Sequence, residues 1–267
     1  MNPAPPVTSA TPLIRARTFV LSLTAPSRIK AFGPGSPGHE RPQSPYEDPP
    51  RPCLPMGPGE LRKKILVELY LARLKGHNPS LDYLANELGL PGRLLEPVLR
   101  ELAEEGLIKA RGEGGKPISY ELTEEGRKAV KVVMTGGVFD ILHVGHLATL
   151  EAARALGDVL VVVVARDETV RRMKGREPLN SEHDRLRLVS ALRPVDLAVL
   201  GDPLDMYKTV ELVRPDVIAL GYDQKHDETE LRARLAERGL KADVVRLDVR
   251  VPGVKSSKIL ARLLQEL

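Results

Sequence analysis

The chain has 267 residues, of which 42% are apolar and 28% charged, with a net charge of +4. That balance fits a soluble globular protein with room for one large or two small domains. Aromatic residues amount to only 3%, with no Trp, which argues against a base-stacking platform for single-stranded nucleic acid.

Residues 1–58 hold 14 of the prolines and no apolar periodicity, so a disordered, Pro-rich tail is expected. The apolar patch Thr18–Ala25 is too short and too polar to span a bilayer, and no signal-peptide cleavage pattern follows it. The single Cys53 permits neither a disulfide framework nor a Cys-based metal site, and suits a reducing, cytoplasmic location. Met56, just before the first periodic segment, is a candidate alternative translation start.

A small domain is predicted over 59–130. "ELRKKILVELYLARLKG" puts Leu61, Ile65, Leu69 and Ala72 on one helical stripe. "SLDYLANELGL" reads as a second helix, capped by Ser80 and stopped at Gly89. "PGRLLEPVLRELAEEGLI" is a third, ending at Gly106. "IKARGE" and "ISYELT", on either side of a Gly114-Gly115 turn, read as a hairpin. Three helices followed by a hairpin is the winged helix-turn-helix order. Its third helix opposes Arg93 and Arg100 with Glu96, Glu101, Glu104 and Glu105. DNA binding through that helix therefore ranks behind an interaction or dimerisation role.

The larger domain is expected over 131–267, where 22 basic and 21 acidic residues give no basic slab for a phosphate backbone. Apolar runs at Val132–Met134, Val159–Val164, Leu197–Leu200, Val217–Leu220 and Val244–Leu247 alternate with amphipathic stretches near 146–156, 181–192, 204–213, 227–238 and 256–266. The alternation predicts an α/β, Rossmann-like five-stranded parallel sheet with helices on both faces.

"TGGVFDILHVGH" (135–146) directly follows the first run. In such sheets ligands bind beyond the carboxyl ends of the strands, where the strand order reverses. Gly136 and Gly137 let a nucleotide approach the backbone, and the next helix presents unpaired N–H groups that favour phosphate. His143 and His146, three residues apart, share one side of the first turn, with Gly145 keeping the approach open. Two imidazoles aimed at a phosphate can stabilise the charge of phosphoryl or nucleotidyl transfer. The competing readings are a helix cap and a metal site; the second has no spaced third ligand, since His183 and His226 read as remote surface residues.

"GVFDILHVGH" resembles the signature of the HxGH, cytidylyltransferase-like nucleotidyltransferases, which pass a nucleoside monophosphate from an NTP to an acceptor phosphate. The resemblance covers about 131–260. "VARDETVRRMKGREP" (164–178) looks like the family's strand and mobile loop of phosphate-contacting basic residues. It implies Lys174 as catalytic beside His143 and His146, and Arg172, with Arg250, as acceptor or phosphate contacts. "GYDQ" (221–224) implies a nucleoside contact from Asp223, and "GVKSSKIL" (253–260) implies triphosphate contacts from Ser256 and Ser257. Nucleotide binding is thus expected at Val138, Phe139, His143, Val144, Gly145, His146, Asp223, Ser256 and Ser257. "VARDETV", "KGREP", "SALRPVDLAVLGD" and "PDVIALGYDQ" are most similar to archaeal FAD synthetases, which adenylylate FMN. Val138, where that family commonly has Thr, and the added winged helix are departures.

The resemblance implies ATP and FMN as substrates and Mg²⁺ carried mainly by the substrate phosphates, with no protein metal site and no membrane. Homodimerisation is left open. CTP-dependent transfer to glycerol 3-phosphate or a similar phosphorylated alcohol is the alternative reaction. A nucleotide-sensing winged-helix regulator is the alternative without catalysis.

Overall fold

In the computed structural model the described residues are 57–112, 117–224 and 226–266. The Pro-rich tail to Met56, with Cys53, and the Gly114-Gly115 turn lie outside them.

Three helices open the described chain: α1 (Pro58–Lys75), α2 (Leu81–Leu88) and α3 (Gly92–Glu104). Pro58 starts α1 where its missing N–H costs nothing, and Gly76 ends it at φ 70. Ser80 caps α2 through the Tyr83 N–H, as its position before the periodic run predicts. Leu95, Leu99 and Leu102 form the buried stripe of α3. Strands β1 (Ile108–Arg111) and β2 (Ser119–Leu122) pair antiparallel. A short helix, α4 (Glu124–Lys128), has no counterpart among the elements expected from the sequence. It forms because the Thr123 side chain caps it at the Gly126 N–H.

The rest of the chain builds a parallel sheet from β3 (Val132–Gly137), β4 (Val159–Val164), β5 (Leu197–Leu200), β6 (Val217–Leu220) and β7 (Asp243–Arg246). Its order is β5-β4-β3-β6-β7. Successive strands move outward from β3 to one edge, and the chain then returns beside β3 to build the other. The order therefore reverses between β3 and β6. These two are ladder partners only at Val133–Val217 and Met134–Ile218, whereas β3 pairs with β4 along its whole length. Beyond the short ladder, β3 and β6 part and leave a crevice at their carboxyl ends.

Period-two alternation sorts the strand residues onto two faces. Val132, Met134, Val159, Val161, Ile218 and Leu220 pack with α8 (Met206–Val213) and α9 (Glu228–Glu237). Val133, Leu160, Val162, Val217 and Ala219 pack with α5 (Val144–Arg154) and α7 (Glu182–Ser190). The expected five strands and two helical layers are thus present; the last strand starts one residue earlier than its apolar run. Residues 164–178, read as a strand and a mobile loop, instead contain a helix, α6 (Asp167–Lys174). Its one buried apolar contact is Val170, too little periodicity for the sequence to reveal.

The N-terminal helices attach at the amino ends of the strands, opposite the crevice. The Tyr70 hydroxyl of α1 donates to the Val213 carbonyl at 2.7 Å. Arg127 of α4 donates to Asp216 at 3.2 Å and also to the Arg214 carbonyl. The same Asp216 oxygen accepts the Val132 N–H that begins β3, at 2.7 Å. Lys63 reaches Asp158, just before β4, at 2.7 Å.

Arg127 is buried and its Nε has no partner, so Asp216 is the main compensation for its charge. Asp216→Ala should therefore destabilise the protein by about 1–3 kcal/mol, the range for leaving a buried donor group without its partner, since Arg127 is buried while Asp216 is partly exposed. Urea unfolding measures this; a change under ~0.5 kcal/mol would show that the pair does not hold the two parts together.

Candidate active site

The signature lies on the crevice, in the turn from β3 into α5. Phe139 sits at φ 55, a left-handed conformation unusual for a side chain of its size. Gly137 makes this turn feasible, because a Cβ there would lie 2.9 Å from the Phe139 ring. The strain is held by ties on both sides. Arg185, fully buried on α7, donates to the Val138 carbonyl at 2.6 Å, to the Asn180 carbonyl at 3.0 Å and to Asp167 at 2.6 Å. Asp140 accepts the N–H groups of Leu179 and Asn180 at 2.8 and 3.0 Å, and Arg176 at 3.3 Å. These donors hold the buried Asp140 carboxyl below the usual carboxylate range despite its desolvation. The aspartate of the motif is therefore a buried structural anion.

The turn delivers His143 to the N-cap of α5 and His146 to its first turn. Their rings stack at 3.9 Å between centroids, 25° from parallel. Neither caps the helix: His143 makes no side-chain cap hydrogen bond, and Nδ1 of both rings is buried without a partner. The leading N–H groups of α5 thus remain available for an anion. Gly145 leaves room for the ring, since a Cβ there would lie 3.0 Å from Nδ1 of His143 and press on it. Val144, between His143 and Gly145, turns its side chain outward.

Burial lowers the pKa of both histidines, with the nearby Asp223 carboxylate opposing the shift. His146 falls to about 4, pushed further by His143 and by Lys174 at the end of α6. Both imidazoles are therefore neutral at pH 7, each with one N–H to donate. Since Nδ1 is the buried nitrogen in both, a tautomer protonated at Nε2 offers its donor on the open side.

The β6 side of the crevice carries Asp223 and the start of the last helix. Asp223 lies within electrostatic reach of both histidines. Gln224, which has no expected role in the sequence, donates to the Gly136 carbonyl at 2.6 Å and so bridges the two diverging strands. The buried Thr135 hydroxyl makes a second bridge, to the Ala219 carbonyl at 2.8 Å. Helix α10 (Ser256–Glu266) starts against the signature, where the Ser256 hydroxyl donates to the Ile141 carbonyl at 3.2 Å. That hydroxyl is a tie to the motif, while the neighbouring Ser257 is exposed. Arg250 and Lys255 lie 5.5 and 5.7 Å from the centroid of the Tyr222 ring. Arg172 is exposed and donates to the Pro203 carbonyl at 2.6 Å. His183 is exposed in the first turn of α7, and the His226 carbonyl accepts from Arg246 at 2.6 Å. Among the described residues, no group of three or more His, Cys, Asp or Glu is arranged to hold a metal ion. No helix among them is long and apolar enough to cross a membrane.

Neutral burial of His146 has a pH signature. The unfolded chain protonates this ring near 6.5, the folded protein only near 4. Stability from this group is complete above pH 6.5 and is lost as pH falls towards 4, because the unfolded state binds the proton first. The Tm of the ligand-free protein should drop over that window, and His146→Asn should flatten part of the slope. Identical slopes would show that His146 is not held neutral.

Residues 134–262 match the Cytidylyltransferase-like family. Over 135 residues the chain is 48% identical to the FAD synthase of Thermoplasma acidophilum, covering 51% of this chain and 94% of that protein. Over 115 residues it is 60% identical to the FAD synthase of Aciduliprofundum boonei, covering 43% of this chain and 76% of that protein. It is also 49% identical to the solved structure of a lipopolysaccharide core biosynthesis protein from Thermoplasma volcanium, with a TM-score of 0.45 over 46% of this chain and 99% of that one. Through its C-terminal half, the chain belongs to the FAD synthase family of Cytidylyltransferase-like nucleotidyltransferases.

Proposed function

We propose that this protein transfers AMP from ATP to the phosphate of FMN, giving FAD and pyrophosphate. The observation that carries the reading is the His143–His146 pair, stacked at 3.9 Å over an uncapped helix N-terminus, in a segment about half identical to FAD synthases.

An FMN phosphate oxygen attacks the α-phosphorus of ATP, and the bond to the oxygen bridging α and β breaks as pyrophosphate leaves. No covalent bond to the protein is needed, so positioning and charge stabilisation supply the catalysis. Negative charge grows on the α-phosphate oxygens and on the leaving oxygen. The two imidazoles donate to that charge from a desolvated site, where each donor counts for more than in water. Lys174 adds positive charge from the end of α6, and the N–H groups of α5 and α10 receive the phosphates. Asp223 contacts the nucleoside, while Val138 and Phe139 shape the turn beneath it. Arg172 and Arg250 serve the phosphates from the two rims. Mg²⁺ enters with ATP as part of the substrate, bound to its phosphates.

A pyrophosphate-release matrix of ATP and CTP against FMN, glycerol 3-phosphate and sugar phosphates tests the assignment. Turnover is expected for ATP with FMN; turnover of CTP with glycerol 3-phosphate alone overturns it. His146→Ala should lower kcat by about two to three orders of magnitude with little change in ATP affinity, the loss seen on removing one preorganised donor. His146→Asn, which keeps a donor, should be milder. A destabilised but fully active His146→Ala protein would assign the histidine a structural role instead.

The winged helix is proposed as an accessory module, with residues 131–267 sufficient for catalysis. Arg62 pairs with both Glu101 and Glu105, and the other exposed acids of α3 leave little attraction for phosphate, so a protein partner or a second copy suits it better than DNA. A 131–267 fragment should keep the kcat of the full chain but melt lower, because Val213 is uncovered and Asp216 loses Arg127. A soluble, folded and inactive fragment would make the module part of the catalytic unit.

A further inference from the structure

We infer that the α6–α7 connection is the flavin side of the acceptor site, with Met173 and Leu179 supplying the apolar surface for the isoalloxazine ring. The inference rests on FMN being the acceptor and goes on to locate its ring.

FMN joins a phosphate to a large, flat and mostly apolar ring system through a flexible ribityl chain. Pockets for such rings are lined mainly by hydrophobic side chains, so an apolar surface is required within a ribityl length of the histidines. Near the carboxyl ends of the strands, Met173, Leu179 and Leu204 are 68, 62 and 77% exposed. Single exposed apolar residues need no explanation, but these are on two connections that are tied to each other. Arg172 and Thr169 on α6 both donate to the carbonyl of Pro203, the residue before Leu204, at 2.6 and 3.4 Å.

The same connection is anchored in the reaction centre. The Leu179 N–H donates to Asp140 at 2.8 Å, and Arg176 donates to the other oxygen of the same carboxylate at 3.3 Å. Lys174, next to Met173, lies within electrostatic reach of His146. The connection is also preorganised: Gly175 turns it at φ 65, and Arg171 closes the turn onto Glu177 at 3.0 Å. Ordering a surface before it binds lowers the entropy cost of binding.

The opposite wall, beyond β6, has a different chemistry. Asp223, Gln224 and the start of α10 are polar or charged, and the aromatic ring there, Tyr222, is flanked by the cations Arg250 and Lys255 at 5.5 and 5.7 Å, which suits ribose and phosphates. An in-line displacement needs the attacking and leaving oxygens on opposite sides of the phosphorus. With pyrophosphate departing towards α10, the FMN phosphate must come from the α6–α7 side, where the apolar residues are.

The test is the double variant Met173→Ser/Leu179→Ser in the full chain, with Leu212→Ser as an exposed control at the amino end of the sheet. The double variant should raise KM for FMN about tenfold or more, the scale for losing apolar contacts in a ligand pocket. KM for ATP should hold, and quenching of FMN fluorescence on binding should weaken in parallel. Ribitol 5-phosphate, which is FMN without the ring, should inhibit the double variant and the wild type equally. An active double variant with the wild-type KM for FMN overturns the inference and leaves the reaction assignment standing. So does a changed oligomeric state with FMN binding intact, which would give the patch to a second copy. A Tyr222→Ala variant that alone loses FMN binding would move the ring to the β6 wall and overturn the inference in the same way. Wild-type protein that makes no FAD from ATP and FMN overturns the acceptor assignment itself, and this inference with it.

Discussion

The functional half of this protein depends on one anion. Asp140 occupies the point where β3 must reverse into α5, and its carboxylate is surrounded by donors from the α6–α7 connection. With Arg185 gripping the Val138 carbonyl from the other side, it holds Phe139 in a left-handed conformation that costs on the order of 1–3 kcal/mol. In return, α5 begins with its first N–H groups bare and two imidazoles stacked above them. A relaxed turn would allow an ordinary side-chain cap, and the uncapped start of the helix would be lost.

Preorganisation of this kind explains the electrostatics of the histidines. Their burial lowers both pKa values, so the resting site holds neutral donors and does not compete with itself for protons or counterions. In the proposed reaction, a bound triphosphate would bring negative charge beside the rings and favour their protonated forms. In that reaction the donors would strengthen as charge develops during transfer, which is the condition for accelerating a reaction and not merely binding its substrate.

Cations and anions are nearly equal in number along the chain, and several of its arginines serve as structural ties. Arg185 fixes the signature loop and Arg127 joins the N-terminal helices to the start of β6. Arg246 clasps the Gly221 and Gln224 carbonyls at 3.1 and 3.0 Å. A guanidinium suits this work because its fork of donors satisfies several carbonyls at once and it never loses its charge. The N-terminal helices are placed with the same effect. They bind the amino ends of the strands, away from the histidines, and leave the carboxyl edge open.

What can be read from the sequence is whatever depends on neighbours a few residues apart. The strand alternation, the Ser80 cap, and the placement of His143 and His146 on one helical turn all follow from local backbone periods, and each is present in the fold. What cannot be read depends on partners far along the chain. Arg185 looks like a surface residue of an amphipathic helix until folding brings it to Val138, 47 positions away. Asp140 has no meaning without Leu179 and Asn180, 39 and 40 positions on. Helix α6, with a single buried apolar residue, takes its shape from its neighbours and not from its own pattern. The sequence alone determined the chemistry of the site, because residue types and short spacings carry it. The tertiary structure alone decided which charged groups are buried and how the two walls of the crevice differ, because both depend on long-range contacts that no local pattern encodes.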